Sequence, residues 1–119
     1  MGRWVERRGN RVDFQGLKIS VDCPAITTPQ KSTLYYNLYE TEEIEAIGRH
    51  LNPGLPVIEL GACIGVLSCL TNRKLTDPSR HAVVEANPDL IETLQANRAA
   101  NGCSFEIHHG AIAYGASEV

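Results

Sequence analysis

Residues able to do chemistry concentrate in one stretch, Val57-Ile58-Glu59-Leu60-Gly61-Ala62-Cys63-Ile64-Gly65. It reads E-x-G-x-x-x-G, an acid ending a short apolar run and two glycines framing a turn. Glycine at 61 and 65 lets the backbone reverse sharply and lets a ligand approach the main chain. A helix starting beyond the turn offers N–H groups to an anionic group. A dinucleotide site needs G-x-G-x-x-G to seat its pyrophosphate; position 63 is Cys, so that fingerprint fails. An acid followed by wider-spaced glycines suits a ligand with an ammonium and a carboxylate but no phosphate. Glu59 would then meet the ammonium, directly or through water, and main-chain N–H groups of residues 61–65 the carboxylate. Glu85 ends the next apolar run, where a carboxylate can accept from both hydroxyls of a ribose. The structural alternatives are plainer. Glu59 or Glu85 would cap a helix or pair with a cation, and the glycines serve the turn under either reading.

Other reactive types form no pattern. Cysteines 23, 63, 69 and 103 lack C-x₂₋₄-C spacing, and His108-His109 completes no zinc set. Cys63 and Cys69 read as small apolar residues of a turn and a buried helix, in a reduced, cytoplasmic setting. His108 and His109, at a strand end, read as a wall of a ligand site or as plain structure rather than as a general base.

Positioning these groups takes alternating elements. Trp4–Arg7, Val12–Phe14 and Leu17–Val21 read as short strands joined by tight turns, the last with clean period-two alternation. Residues 23–30, with Pro24 and Pro29, read as irregular, and Tyr35, Tyr36 and Tyr39 cluster after them. Thr41 reads as the N-cap of a helix with Ile44, Ile47 and Leu51 on one stripe, stopped by Asn52-Pro53-Gly54. Pro56–Leu60 suits a strand buried on both faces. A mainly apolar helix over 64–75 follows, then a strand over 81–85. Asn87-Pro88 opens a helix that Asn101-Gly102 closes, and 104–108 is a third strand. Strand, helix, strand, helix, strand with short loops predicts an α/β fold, with right-handed crossovers and a parallel sheet.

Composition agrees with one globular domain: 119 residues, 43% apolar, 21% charged, net charge −3. No run of eighteen apolar residues exists, so no membrane-spanning helix is expected. Nor do Met1–Arg8 read as a signal peptide. The acidic balance argues against a dedicated nucleic-acid binder. Residues 1–31 nevertheless hold six Lys/Arg against three Asp/Glu, and the rest five against eleven. That basic arm would touch an anionic substrate or simply be a solvated hairpin.

The glycine turn in its β-α-β setting, with an acid on the second strand tip, resembles the class I S-adenosylmethionine-dependent methyltransferases. More narrowly, it resembles the FkbM family. The residues carrying the likeness are Tyr39-Glu40, Pro53-Gly54, Val57–Gly65, Val84-Glu85-Ala86-Asn87-Pro88, Asn101-Gly102 and Gly110-Ala111-Ile112. The family carries Asn at the position of Cys63 and Pro at that of Ala86. The resemblance implies a Rossmann-like three-layer methyltransferase fold, of which this chain holds the first three parallel strands. Residues 1–31 would form an N-terminal β extension, and 32–119 a partial cofactor-binding domain.

It also implies S-adenosyl-L-methionine as cofactor and O-methylation of a sugar or other small-molecule hydroxyl. Tyr39, Glu59, Gly61, Ala62, Cys63 and Gly65 would then serve the methionine end, and Glu85 with Ala86 the ribose and adenine. Folds of this class continue with a fourth strand beside the first, so the chain is expected to be inactive alone, with no catalytic base assignable. Its first strand would be an open edge prone to homodimer pairing. The rival readings are a non-catalytic nucleoside-binding or interaction module and, less well supported, a nicotinamide-dependent oxidoreductase.

Overall fold

A computed structural model describes residues 2–115; Met1 and residues 116–119 lie outside the described set. The chain opens on helix α1 (Gly2–Arg7), where a strand was expected. Gly2 and Val5, three apart, bury one face of this single turn and a half. So short a helix is held by packing rather than propensity. Trp4 meets Tyr35 edge-on at 5.0 Å, and the Glu6 carboxylate accepts from Thr28 Oγ1 and Lys31 Nζ.

Strands β1 (Arg11–Phe14) and β2 (Leu17–Ser20) form an antiparallel hairpin in the register Val12↔Ile19, Phe14↔Leu17. Gln15 and Gly16 both take positive φ, as the twist of a two-residue hairpin turn requires. Helix α2 (Thr28–Tyr35) occupies part of the segment read as irregular. Thr27 and Gln30 close a capping box over its first turn, and Pro29 sits where a missing N–H costs nothing. Helix α3 (Thr41–His50) is capped one residue earlier than expected: Glu40, at φ 45°, occupies the N-cap and Thr41 is the first helical residue.

The second half forms a three-stranded parallel sheet in the order β3-β4-β5: Val57–Leu60, His81–Glu85 and Glu106–His109. Helices α4 (Val66–Asn72) and α5 (Pro88–Ala100) connect the strands. Asn87 caps α5 through its side chain, which accepts from the Asp89 N–H. The sheet is covered on one face. Val57 and Glu59 turn toward the helices, whereas Ile58 and Leu60 are 76% and 59% exposed. The expectation of a strand buried on both faces is therefore corrected: among the described residues no helix lies over that second face. No helix of the described residues is long and apolar enough to cross a membrane.

One core joins the two halves, running from Val5, Phe14 and Ile19 through Ile64, Leu70 and Leu94 to Phe105. Polar joinery locks them. On β2 the N–H and C=O groups of Lys18 and Ser20 face away from β1. Asn97 Oδ1 accepts from Ser20 N (2.7 Å) and its Nδ2 donates to Ser20 O (3.0 Å). Asn101, one helical turn on, does the same for Lys18 N and O at 2.8 and 2.9 Å. Two amides at i,i+4, one on α5 and one at its C-cap, thus complete the free edge of β2 as a neighbouring strand would. The match is geometric: about 6 Å of helix rise against about 6.8 Å of strand for two residues.

Candidate functional site

The turn after β3 is built by backbone conformation first. Gly61, Cys63 and Gly65 take φ of 81°, 52° and 91°. A Cβ at Gly65 would also lie 2.8 Å from Leu94 Cδ1, so a side chain there meets a strained φ and displaces the Leu94 tip. The turn extends the parallel ladder, since Gly61 and Ala62 N–H both donate to Val84 O. Gly65 N–H donates to Ala62 O, and Cys63 N–H to Glu85 Oε2 at 2.7 Å. Four N–H groups of the stretch expected to meet a ligand carboxylate are therefore already engaged. What the turn presents outward is glycine backbone, Gly61 being exposed.

Glu85 ends β4 and is 8% exposed. Its Oε1 accepts from Asn87 N–H at 2.9 Å, so one carboxylate ties the glycine turn to the cap of α5. Each oxygen has one protein donor and lone pairs to spare. Gly61, Glu85, Ala86, Gly110, Ala111 and Ile112 line a cleft of about 220 Å³ at the C-terminal ends of the strands. That is where open parallel sheets bind ligands. A larger groove of about 440 Å³ lies between the hairpin and α5, lined by residues such as Arg11, Lys18 and Ala96. It holds none of the expected site residues, and volume alone does not outweigh the smaller cleft's chemistry.

Glu59 faces the covered side. Ser68 Oγ donates to its Oε2 at 2.7 Å, and His81 Nε2 lies 3.4 Å from its Oε1. Glu40 carries its carboxyl nearby: desolvation, then the charges of Glu43 and Glu59, push it above the ordinary carboxylate range. Tyr39 lies against Cys63, its ring edge-on to Phe14 at 6.4 Å, and burial pushes both its phenol and the Cys63 thiol up. A protonated Cys63 is a packing residue rather than a nucleophile.

The structure thus brings Tyr39, Ala62, Cys63 and Gly65 together on the inner side of the turn. Gly61, Glu85 and Ala86 line its outer cleft, with Glu59 beneath. His108 Nε2 lies 3.4 Å from Glu106 Oε1, and His109 Nε2 is 3.3 Å from the carbonyl oxygen of Ala86, a cleft residue. Three participants escaped the sequence reading: Ser68, His81 and Asn72, whose Nδ2 lies 3.2 Å from His81 Nδ1. Ser68 sits nine residues after Glu59 on the first turn of α4, a spacing that could have marked it; His81 depends on strand pairing and carried no local signal. No group of three or more His, Cys, Asp or Glu able to hold a metal occurs among the described residues. No protein-family model, curated protein or solved structure matches this chain.

Proposed function

We propose that the chain holds S-adenosyl-L-methionine across the C-terminal ends of β3 and β4. It would be the cofactor-binding portion of an FkbM-type methyltransferase acting on a small-molecule hydroxyl. The observation that carries this reading is Glu85, a nearly buried carboxylate at the tip of the second strand of the parallel sheet. It is fixed by two backbone donors, with lone pairs to spare beside a mainly apolar cleft. Such a group accepts a pair of vicinal hydroxyls.

The cleft's volume lies below the roughly 300–1,000 Å³ of complete ligand pockets, so it takes the nucleoside part of the ligand. Beyond the exposed Gly61, the mutually repelling carboxyls of Glu40 and Glu59 favour a cation, as an amino-acid ammonium supplies. The bound cofactor supplies an electrophilic methyl group. The chain's part is to bind and orient, the source of most of the advantage when two reactants must meet in line. No residue described here is assigned to take the acceptor's proton.

Titration calorimetry with S-adenosylhomocysteine tests the reading. Saturable one-to-one binding is expected; the absence of heat or of a stability gain at millimolar ligand refutes it.

A further inference from the structure

Glu59 is held from behind by a relay that the cofactor reading does not use. His81, the first residue of β4, has a side chain with no exposed surface. Its Nε2 is the one buried side-chain polar atom without a hydrogen-bond partner among the described residues. That nitrogen lies 3.4 Å from Glu59 Oε1, near enough to interact but without the alignment of a hydrogen bond.

The proton on it is placed by Asn72. Ser104 N–H donates to Asn72 Oδ1 at 3.2 Å, and Asn72 Nδ2 donates to Pro78 O at 2.9 Å. The amide's orientation is fixed at both ends, so its remaining N–H meets His81 Nδ1 at 3.2 Å. His81 Nδ1 must then offer a lone pair, and the ring proton of neutral His81 sits on Nε2, toward Glu59. Phe105, 5.4 Å away and tilted by 59°, packs the ring in place. Buried donors left unmade are rare and call for an explanation.

We infer that His81, oriented by Asn72, is a positioning residue for Glu59. With Ser68 it grips the carboxylate from the covered side of the sheet so that Glu59 meets a ligand ammonium as a fixed anion. A small swing of Glu59 on ligand entry closes the 3.4 Å gap and satisfies both partners. This inference rests on the cofactor reading and adds that the chain discriminates ligands by their ammonium group.

The test compares two probes, S-adenosylhomocysteine, which carries the ammonium, and 5′-methylthioadenosine, which does not. His81→Asn removes the Nε2 donor, His81→Gln restores an N–H near the same place, and Ser68→Ala removes the second grip. Thermal melts establish that each variant is folded. Expected is a loss of about ten-fold in S-adenosylhomocysteine affinity for His81→Asn and for Ser68→Ala. Near-wild-type affinity is expected for His81→Gln, and unchanged methylthioadenosine binding for all three. Equal losses on both probes, or no loss on either, overturn the positioning role and leave the cofactor reading standing. Failure of the wild type to bind either probe removes both.

Discussion

Replacing Glu85 separates its two duties. Its carboxylate accepts at 2.7 Å from Cys63 N–H, in a turn held at positive φ, and at 2.9 Å from Asn87 N–H. Hydrogen bonds to a charged acceptor contribute roughly 1.5–3 kcal/mol each. Cys63 and Asn87 are only half-buried, so water can reach the orphaned donors and the lower end applies. Glu85→Ala should therefore cost about 3 kcal/mol, or about 12 °C of Tm for a domain of this size. Glu85→Gln keeps one acceptor but turns an NH₂ toward the other donor, and should cost about half as much. Urea unfolding with both midpoint and slope recorded reads these values.

On the ligand side, losing two ribose acceptors should weaken S-adenosylhomocysteine binding by about 2 kcal/mol, about thirty-fold. Calorimetry at a temperature where both variants are folded measures it. An alanine variant melting within about 3 °C of the wild type would refute the carboxylate's hold on the turn. Equal affinities for wild type and Glu85→Ala would remove the ribose contact.

The two glycines of the turn should respond unequally. Gly65→Ala meets both a strained φ and Leu94, so a loss of about 2–3 kcal/mol is expected; Gly61→Ala, with open space around its Cβ, should lose about 1 kcal/mol from φ alone. Asn97→Ala removes a fully buried side chain and orphans Ser20 N and O and the Ile64 carbonyl, and should cost about 3 kcal/mol in urea unfolding. Asn101→Ala opens exposed bonds and should cost under about 1 kcal/mol; equal losses at the two positions would contradict the burial argument. Glu40 binds its proton more tightly folded than unfolded, so the stability it contributes when protonated is lost as pH rises through its raised folded pKa. Glu40→Gln should therefore stabilise at pH 7 by about 0.3 kcal/mol, solvent screening keeping the gain small, with no gain at pH 3.5, below the ordinary Glu range of about 4.3. The exposed apolar face of β3 should drive association, with sedimentation velocity showing species above monomer and Ile58→Lys reversing it.

Local signals in the sequence reported what is locally decided. The Asn87-Pro88 start and Asn101-Gly102 stop of α5 are backbone chemistry within a few residues, and the strand over 81–85 followed from its apolar run. The Thr27-x-x-Gln30 box was equally local, but two nearby prolines hid it. Residues 2–7 misled because Trp4 and Val5 favour strands, while packing on α2 decides their shape. Ile58 and Leu60 read as doubly buried because composition registers apolarity, not what lies over a face. Glycine spacing and acids at strand tips marked the candidate site. The His81–Asn72 relay did not show, for it exists only once β3 pairs with β4 and residue 104 returns to residue 72.

The asparagine edge on β2 also sets an order of events during synthesis. The hairpin leaves the ribosome before α5, and the amides that close its outer side lie 77 and 83 residues downstream. At about 5–20 residues per second, Lys18 and Ser20 wait roughly 4–17 s before α5 exists to receive them. Contacts of such long sequence separation form late and slow folding. These two strands are thus made long before their edge is secured, and during that interval the nascent chain exposes a raw β edge that a chaperone, or a neighbouring nascent chain, can reach first.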